Sequence, residues 1–481
     1  NRLPDRPSSP RIRPSRVRPC RRESRQTAGV SYFFSVLLVL YWFQKSLDLI
    51  KSGHCKRAGL VATNSVRMGA NREVLDGIAE NASIYDAYSD EPWVIDGAAV
   101  RVSLICFSNK SSVSARLNGK YVGFIFSDLT SGTVDVTKRE KLEENKNVSF
   151  VGVILNGPFE VSANTAREWL QEPLNVNGQP NSDVLKRTFN GDDFNGNRGD
   201  KWVVDFGAEM TEEEAACYEV PFEYVKNNVK PFRFRLNEDG EYAVRAKNER
   251  EIWWRHARPR PAMRRAFRGL THFIATPMVS SYRIFDILDI AFLPDQKLVA
   301  FARGDLFFFG LLSSRFHEYW TRRTCSWIGQ GNDMTYSNQS VFLTYPFPEG
   351  LTPQMPSATC ENDPRGARVS EAAERLLQLR RRWLYPPELV REEPEVVSGY
   401  PPRLVPLSEK AEIDYRKRTL GRLYAERPTW LDNAHRELDR AVAVAYGWPE
   451  DISDEDALAR LMKLNEERSQ QARDRAAQAA E

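Results

Sequence analysis

The sequence contains little cysteine and histidine, and neither residue is spaced for a metal site. The chain has six cysteines: Cys20, Cys55, Cys106, Cys217, Cys325 and Cys360. They form no Cys-x-x-Cys pair, which argues against a zinc knuckle or a disulfide framework and fits a reducing compartment. The chain has five histidines: His54, His256, His272, His317 and His435. These lack metal-ligand spacing, so we expect no metal site.

The sequence also lacks an apolar run long enough for a comfortable transmembrane helix. Residues 1–28 are rich in Arg, Pro and Ser, and an apolar run follows at 30–43. A spanning helix needs ~20 apolar residues. The basic start resembles a signal or transit peptide, but no small-residue cleavage site follows it. We expect residues 1–37 to be a disordered or non-native leader. A membrane-anchored protein is the alternative that this run leaves open.

No strong excess of charge of either sign is present. The net charge is +3, and 41% of the residues are hydrophobic and 28% charged, as in an ordinary globular protein. Bulk charge therefore does not indicate a nucleic-acid partner, and local basic clusters matter more. A length of 481 residues allows about two to four domains.

The segment before residue 110 predicts the end of an α/β sheet. "LYWFQKSLDLIKSG" predicts a helix that ends at Gly53, "RAGLVATN" a buried strand, and "NREVLDGIAE" a second helix. "IYDAYS" and "VRVSLICFS" predict two strands on either side of the polar, turn-rich "DEPWVIDGAA". This order predicts a sheet that finishes with an antiparallel hairpin.

After about residue 113 the predicted elements become short strands and helices joined by Gly- and Asn-containing loops. "ARLNGKYVGFIF" predicts a hairpin with an Asn-Gly turn, and short strands and helices continue to about 348. Residues 350–364 read as a linker. Asp363 and Pro364 predict the start of a helix, and Ser453 and Asp456 predict another. We therefore predict domains at 38–110, 111–350 and 365–481, with a linker at 351–364.

Several strings resemble one protein family. "YWFQKSLDLIKSGHCKRAGLVATNSVRMGANREVLDGI" and "SDEPWVIDGAAVRVSLICF" resemble the C-terminal half of a class I adenosylmethionine-dependent DNA methyltransferase of the MmeI-like group. "WWRHARPRPAMRRAFRGLTHFIATPMVSSYRIF", "FFFGLLSSRFHEYW" and "YPFPEGLTP" resemble that group's target-recognition domain, and "LRRRWLYPPE" and "GYPPRLVPL" its helical C-terminal segment. The resemblance implies the end of a Rossmann-like sheet, a mixed α+β recognition domain and a helical domain.

By the same resemblance, the loop between the last two sheet strands lies at the mouth of a pocket for a flipped base. Such a pocket needs an aromatic or apolar wall and polar groups for the base edge. Trp93 could supply the wall, and Asp90, Glu91 and Asp96 could supply hydrogen-bond acceptors. The alternative is that Trp93 fills a cleft under the loop while the acids cap a turn.

The family's chemistry also implies two elements that we do not find before residue 40. One is a Gly-rich turn for S-adenosylmethionine, and the other is an Asn/Asp-Pro-Pro-Phe/Tyr turn that holds the target adenine. Gly329-Gln330-Gly331 and Asn156-Gly157-Pro158-Phe159 imitate these turns, but both follow the sheet-closing hairpin. We therefore expect no catalytic residue and doubtful cofactor binding in this chain. A truncated or frameshifted gene, with a separate N-terminal methyltransferase or nuclease half, would explain the pattern.

A basic cluster lies beside Trp253 and Trp254. Its members are Arg255, His256, Arg258, Arg260, Arg264, Arg265 and Arg268. We expect these side chains to contact phosphates and the two tryptophans to lie in the core. By resemblance, the candidates for base reading and nearby contacts are Ser280, Ser281, Arg283, Arg322, Arg323, Gln330, Asn332, Asp333 and Tyr336.

These observations predict the C-terminal part of a site-specific adenine DNA methyltransferase of restriction–modification or phage defence. Its partner would be double-stranded DNA in a bacterial cytoplasm, and recognition would be retained while the catalytic motifs are missing. The alternative is a non-catalytic DNA-specificity module that acts in trans.

Overall fold

The computed structural model describes residues 38–478 except 68, 96–97, 111–113, 133, 197–198 and 329–332. The predicted leader therefore lies outside the described residues. The chain divides into two compact units, 1–113 and 114–481. No helix of the described part is both long and apolar enough to cross a membrane.

The first unit combines two helices with three antiparallel strands. Its elements are α1 (Leu38–Lys51), β1 (Arg57–Thr63), 3-10 turns Asn64–Arg67 and Gly69–Arg72, α2 (Glu73–Asn81), β2 (Ala82–Ile95) and β3 (Ala98–Asn109). β3 pairs with both β1 and β2, and both pairings are antiparallel. The predicted hairpin of β2 and β3 and the two helices are therefore confirmed. Residues 90–95, predicted as part of the loop, instead continue β2 and pair with β3. The predicted burial of β1 is wrong, because most of its residues are exposed or partly exposed.

Apolar spacing explains how this unit forms its core. Leu40, Phe43 and Leu47 are buried on one face of α1, as helical periodicity requires. The Phe43 ring stacks on Phe107 of β3, with ring centroids 6.3 Å apart. The strands described here are all antiparallel to their neighbours. The two pairings of β3 in the first unit are therefore not the parallel pairings that define a Rossmann-like sheet.

The second unit is a mixture of helices and small sheets. Its strands are β4 (Ala115–Leu117), β5 (Lys120–Val122), β6 (Ser149–Val151), β7 (Glu160–Val161), β8 (Leu185–Phe189), β9 (Trp202–Val204), β10 (His272–Pro277), β11 (Val279–Ser280), β12 (Asp286–Asp289), β13 (Phe292–Pro294), β14 (Leu298–Phe301), β15 (Ser326–Ile328), β16 (Asp333–Thr335), β17 (Val390–Glu393) and β18 (Arg403–Pro406). The sheets have the orders β12-β10-β14-β6, β13-β8-β9-β7, β11-β16-β15 and β17-β18. In this unit, β8 and β13 form a parallel pair.

The helices of the second unit become longer toward its C-terminal part. They are α3 (Ala163–Leu170), α4 (Gly191–Asn195), α5 (Glu212–Ala216), α6 (Glu219–Phe234), α7 (Lys247–Glu251), α8 (Pro261–Ala266), α9 (Leu306–Ser313), α10 (Arg315–Thr324), α11 (Ser357–Asn362), α12 (Pro364–Leu384), α13 (Glu409–Arg416), α14 (Leu420–Glu426), α15 (Thr429–Ala445) and α16 (Asp454–Gln478). The remaining short turns are Val136–Lys138, Glu143–Asn145, Asn181–Asp183 and the π-helical turn Asn338–Phe342.

Local signals place several of these elements correctly. β4 and β5 form the predicted hairpin, with Asn118 and Gly119 both at positive φ in the turn. The Asp363 carboxylate accepts a hydrogen bond from the Arg365 backbone N–H, and Pro364 is the first residue of α12. The Ser453 hydroxyl accepts from the backbone N–H of Asp456 at the start of α16.

Residues 351–364 are not the predicted linker. Leu351 and Cys360 are buried, and α11 occupies Ser357–Asn362. The α9 side chain Phe309, Leu376 of α12 and Leu438 of α15 belong to one apolar core. Burial of these apolar faces against each other outweighs the Pro-, Ser- and Gly-rich composition that suggested a linker. The helical segment after 365 is therefore continuous with the core of the second unit.

Candidate functional site

Most of the basic cluster at 255–268 is held by the fold. Arg264 of α8 donates two hydrogen bonds of 2.9 Å to the Asp205 carboxylate, whose side chain is only 2% exposed. Burial acts to raise the pKa of Asp205, but the Arg264 guanidinium outweighs it and lowers the pKa to about 2. Arg264 is therefore committed to a partly buried ion pair rather than free for a phosphate.

Arg255 has a similar internal role. Its Nε, Nη1 and Nη2 donate to the carbonyl oxygens of Met210, Ala208 and Glu209, each at 2.8 Å. Three successive carbonyls that point at one guanidinium fix the turn after β9. Because all three of these nitrogens donate to the turn, the Arg255 side chain stabilises it.

His256 lies in the core. It is 1% exposed, its Nε2 lies 2.9 Å from the Val204 carbonyl, and its ring contacts Phe159 edge-on. Burial lowers the pKa of His256 despite the nearby Asp205 carboxylate. The predicted phosphate contact is wrong for this residue, because its ring does not reach the surface.

The remaining cations of the cluster differ in their freedom. Arg260 donates from Nε to the Gly152 carbonyl at 2.9 Å, and Arg258 lies 3.3 Å from Glu249 but stays half exposed. Arg265 and Arg268 are exposed, and neither side chain has a hydrogen bond or ion pair with the described residues. Trp253 and Trp254 are buried, as predicted. Arg265 and Arg268 are therefore the members of the cluster whose side chains are both open to solvent and unpaired within the described residues.

A three-stranded sheet presents the second group of candidates. β16 pairs with β11 on one side and with β15 on the other, both antiparallel. The Ser281 hydroxyl, directly after β11, donates to the Asp333 carboxylate of β16 at 2.5 Å. Ser281 and Tyr282 are exposed. We call β11, β15, β16 and residues 281–282 the recognition sheet. Gln330 and Asn332 lie outside the described residues.

Three other candidates of this region are buried. Ser280 is 4% exposed. Arg283 donates to Thr276 Oγ1 and to the carbonyl oxygens of Pro277 and Met334. Tyr336 lies in the main apolar core and shares a hydrogen bond with His317. None of the three can contact a base without repacking, so the prediction of direct contact is wrong for them.

Two arginines lie just before the recognition sheet, at the end of α10. Arg322 is half exposed and pairs with Glu318 at 2.6 Å, one helical turn away. Arg323 is different, because its Nε and Nη2 atoms are buried and have no hydrogen-bond partner. Buried donors without a partner are rare in folded proteins. Within the described part of the chain, these two Arg323 nitrogens therefore have no hydrogen-bond acceptor.

The first unit contains the proposed edge of a flipped-base pocket. Asp90 lies at a β-bulge of β2, and its Oδ1 accepts from Arg101 Nε at 2.6 Å and from Asn64. Burial acts to raise the pKa of Asp90, but these hydrogen bonds outweigh it and hold the pKa below its usual value. Arg101 and Asn64 were not predicted from the sequence.

The side chains beyond the bulge are more open. Trp93 is 40% exposed, so its side chain is only partly covered, and both the pocket-wall role and the cleft alternative stay open to it. Glu91 is half-buried and has β3 Val102 as its pairing partner. Asp96 lies outside the described residues. The pocket-wall role of Trp93 and the acceptor role of Glu91 stay predictions.

The Asn156–Phe159 turn does not have the side-chain freedom of a catalytic turn. The Asn156 amide donates to Glu249, its carbonyl accepts from Arg233, and the Phe159 ring is fully buried. Neither the amide nor the ring is available to a base. This supports the interpretation of the turn as an ordinary loop of the recognition region.

Known proteins identify the segment that contains these sites. Residues 173–349 match the family model described as the MmeI target recognition domain. This segment is thus similar to the MmeI target recognition domain. It runs from before β8 to after β16 and includes both the basic cluster and the recognition sheet. The predicted resemblance to the MmeI-like group is confirmed.

Comparison with solved structures extends the MmeI likeness along the chain. A structure of the type IIL restriction-modification enzyme MmeI in complex with DNA aligns with 90% of this chain at a TM-score of 0.63 and 19% identity. The chain spans 52% of that structure's length. The type IIG restriction endonuclease BpuSI aligns over 81% of this chain and 47% of its own, at 8% identity and a TM-score of 0.25. A TM-score this low does not indicate a shared fold. No curated protein matches the chain.

The sequence signals missed the anionic partners of the cluster. Asp205 ends the buried run "WVVD", and Glu249 lies on α7 with 6% of its surface exposed. An acid at the end of a fully apolar strand is a usable signal, because a buried carboxylate requires a cationic or hydrogen-bonding partner. That signal predicts a partner for Asp205 but does not show which arginine of the cluster it is.

Proposed function

We propose that this chain is the DNA-recognition part of a restriction–modification enzyme of the MmeI type. The match of residues 173–349 to the MmeI target recognition domain carries the proposal. The aligned MmeI structure, which is described as a complex with DNA, supports it. The expected partner is double-stranded DNA, and the expected setting is the bacterial cytoplasm.

Charge and exposure suggest how the duplex is held. Arg265 and Arg268 are exposed beside α8, and a cation of this kind neutralises a phosphate and releases counterions. The two Arg323 nitrogens without a partner among the described residues are buried, so a phosphate would reach them only after repacking. We assign the Arg265 and Arg268 side chains to phosphate contacts, which fix the position of the protein but do not read sequence.

Base reading is assigned to the exposed end of the recognition sheet. A serine hydroxyl can donate to or accept from a base edge, and an aspartate accepts from the cytosine amino group. Ser281 and Asp333 form one hydrogen-bonded pair there. Gln330 and Asn332 stay candidates by resemblance, because they lie outside the described residues.

Methyl transfer to the adenine amino group is proposed for the complete enzyme rather than for this chain. The described residues do not fit S-adenosylmethionine through the turn at 156–159, since its amide and ring are engaged internally. Cofactor binding and catalysis would therefore require residues outside the described part. In a transfer assay with radiolabelled S-adenosylmethionine and duplex DNA, we expect no methylation by the purified chain. Methylation abolished by Asn156→Ala would contradict this.

The test of DNA recognition is a salt titration. Binding of a fluorescein-labelled duplex of random sequence is measured by anisotropy over a series of salt concentrations. We expect log affinity to fall linearly with log salt, with a slope of about −0.9 per neutralised phosphate. The double change Arg265→Ala and Arg268→Ala should make this negative slope shallower by up to about two. It should weaken binding to duplexes of every sequence to the same extent.

A charge-matched control separates phosphate contact from net charge. Arg375 and Arg436 are exposed on α12 and α15, and changing both to Ala removes the same two charges elsewhere. We expect a smaller effect on the slope. A folded chain that binds no duplex at low salt would overturn the proposed function. Methylation by the chain alone would instead show that the chain is a methyltransferase in its own right and not only the DNA-recognition part of one.

A further inference from the structure

A buried arginine lies directly behind the exposed end of the recognition sheet. Arg283 follows Ser281 by two residues and is only 6% exposed. Its side chain turns inward and donates hydrogen bonds to two strands, β10 and β16. Its position, between the surface pair Ser281–Asp333 and the core, gives it a different use from base reading.

The Arg283 guanidinium joins β10 to β16. Nη1 donates to Thr276 Oγ1 at 3.0 Å and also to the Pro277 carbonyl at the end of β10. Nη2 donates to the Met334 carbonyl at 3.1 Å, in the centre of β16. Met334 adjoins Asp333, so this bond fixes the strand one residue from the base-reading pair. Only a planar, forked donor can reach both strands at once.

Arg283 is a cation without an anionic partner in the described part of the chain. Its hydrogen bonds go to two carbonyls and one hydroxyl, and its guanidinium lies 5.1 Å from the centre of the Tyr336 ring. Burial lowers the pKa of Arg283 to about 10, so the side chain remains charged at neutral pH. A buried charge is costly unless it is well satisfied. Here carbonyl dipoles and the face of an aromatic ring stabilise the two terminal nitrogens, whereas Nε is buried without a hydrogen-bond partner among the described residues.

The ring under Arg283 is itself fixed. Burial lowers the pKa of His317 to about 3, so its imidazole is neutral. His317 Nδ1 lies 3.0 Å from the Leu312 carbonyl, which can only accept, so Nδ1 carries the proton. Nε2 then accepts from the Tyr336 hydroxyl at 3.1 Å. Burial also holds the pKa of Tyr336 well above its usual value, which keeps this hydroxyl protonated as the donor.

We propose that Arg283 is a positioning residue for sequence recognition, which holds β16 against β10 so that the Ser281–Asp333 pair meets the DNA bases in one geometry. This inference rests on the proposed function. Arg283 touches no base itself. Because it acts through β16, its loss should blur the sequence preference while leaving the phosphate contacts of Arg265 and Arg268 intact.

The test uses the full chain and compares Arg283→Met with Arg283→Lys. The preferred site is first selected by the unaltered protein from a randomised duplex library. Affinity for that site and for a random duplex is then measured at several salt concentrations. We expect the ratio of selected-site affinity to random-duplex affinity to fall at least about tenfold in both variants. The random-duplex affinity and its salt slope should stay within about twofold of the unaltered protein, because a residue without a phosphate contact does not change them. Lysine should not rescue the ratio, since one ammonium cannot bridge both strands.

A stability-matched control and a measurement without DNA complete the experiment. Val442→Ala removes a buried side chain of α15 and should leave the affinity ratio unchanged despite a comparable loss of stability. Amide hydrogen exchange in β15 and β16 should be faster in the Arg283 variants than in Val442→Ala. This second reading remains informative if Arg283→Met folds poorly, because Arg283→Lys retains the charge.

The outcomes separate the inference from the proposed function. An unchanged affinity ratio in both variants would overturn the positioning role. So would a uniform weakening of all duplexes with a lower salt slope, because that result would make Arg283 a phosphate ligand. If the unaltered chain binds no duplex, the proposed function fails. The positioning role then fails too unless the Arg283 variants alone accelerate exchange in β16.

Discussion

Arg264 and Asp205 form a two-bonded ion pair, with both terminal nitrogens of the guanidinium 2.9 Å from the two carboxylate oxygens. The residues are 59 positions apart in the sequence. Asp205 follows β9 and Arg264 lies on α8, so the pair joins a sheet to the helix of the basic cluster. One arginine of a presumed DNA-binding cluster is thus a structural residue, and its neighbour Arg265 is not.

Arg264→Ala should therefore destabilise the protein. It leaves the buried Asp205 carboxylate without its guanidinium, and breaking a buried pair in this way costs about 3–5 kcal/mol. Arg265→Ala should change the free energy of unfolding by less than about 0.5 kcal/mol, as exposed substitutions usually do. Urea unfolding of the two variants measures the difference. Equal stability of the two variants would contradict the assignment of Arg264.

The half-buried Asp439 should make stability depend on pH. Burial raises its pKa to about 7, although the Arg315 backbone N–H, which donates to it at 2.8 Å, acts to lower the pKa. The folded pKa lies above the unfolded value, so between about pH 4 and 7 the folded carboxyl binds the proton more tightly. Stability from this group is thus highest at the acid end and falls as pH rises through this window.

Asp439→Asn should remove that part of the pH dependence. The asparagine oxygen can still accept from the Arg315 N–H but carries no charge. We expect the variant to be more stable than the unaltered protein at about pH 8, by roughly 1–2 kcal/mol, because partial exposure reduces the ~1.4 kcal/mol that each pKa unit represents. Urea midpoints at pH 5 and 8 test this. A variant that gains nothing at pH 8 relative to pH 5 would contradict it.

Gly366 should not tolerate a side chain. A Cβ atom at this position of α12 would lie 1.8 Å from the Cys360 carbonyl oxygen of α11, and backbone cannot yield as a side-chain tip can. Gly366→Ala should cost at least about 1–3 kcal/mol, as overpacking does. Gly77→Ala is the control, because outside its own helix no described atom lies within 4 Å of its Cβ position. In helix α2 it should stabilise by about 0.5–1 kcal/mol.

Chymotrypsin should leave the segment at 351–364 intact while it cuts elsewhere. Leu351 is buried, whereas Leu174, Leu236 and Tyr242 are exposed in connections between helices and strands. Proteolysis needs an exposed, locally open chain. We expect early fragments from cleavage at Leu174, Leu236 or Tyr242, identified by mass spectrometry. Initial cleavage at Leu351 or Met355 would restore the linker interpretation.

The sequence alone determined the features that depend on near neighbours. The apolar spacing of α1, the Asn118–Gly119 turn and the Asp363–Pro364 helix start all follow from local backbone and hydrogen-bond preferences, and the structure has each of them. The resemblance of residues 173–349 was equally visible, because it resides in the order of the strings themselves.

Tertiary structure alone decided which charged side chains remain free. Arg264 and Arg265 are adjacent and chemically identical, yet one meets Asp205 and the other meets solvent. The sequence predicts that Arg283 contacts a base, but in the structure its guanidinium is buried between β10 and β16. A helical face and a strand register are set within a few residues, whereas an ion-pair partner is set by how distant elements pack. The function of a cation depends on that partner, because a guanidinium already satisfied by a buried carboxylate or carbonyl has little left to offer a phosphate.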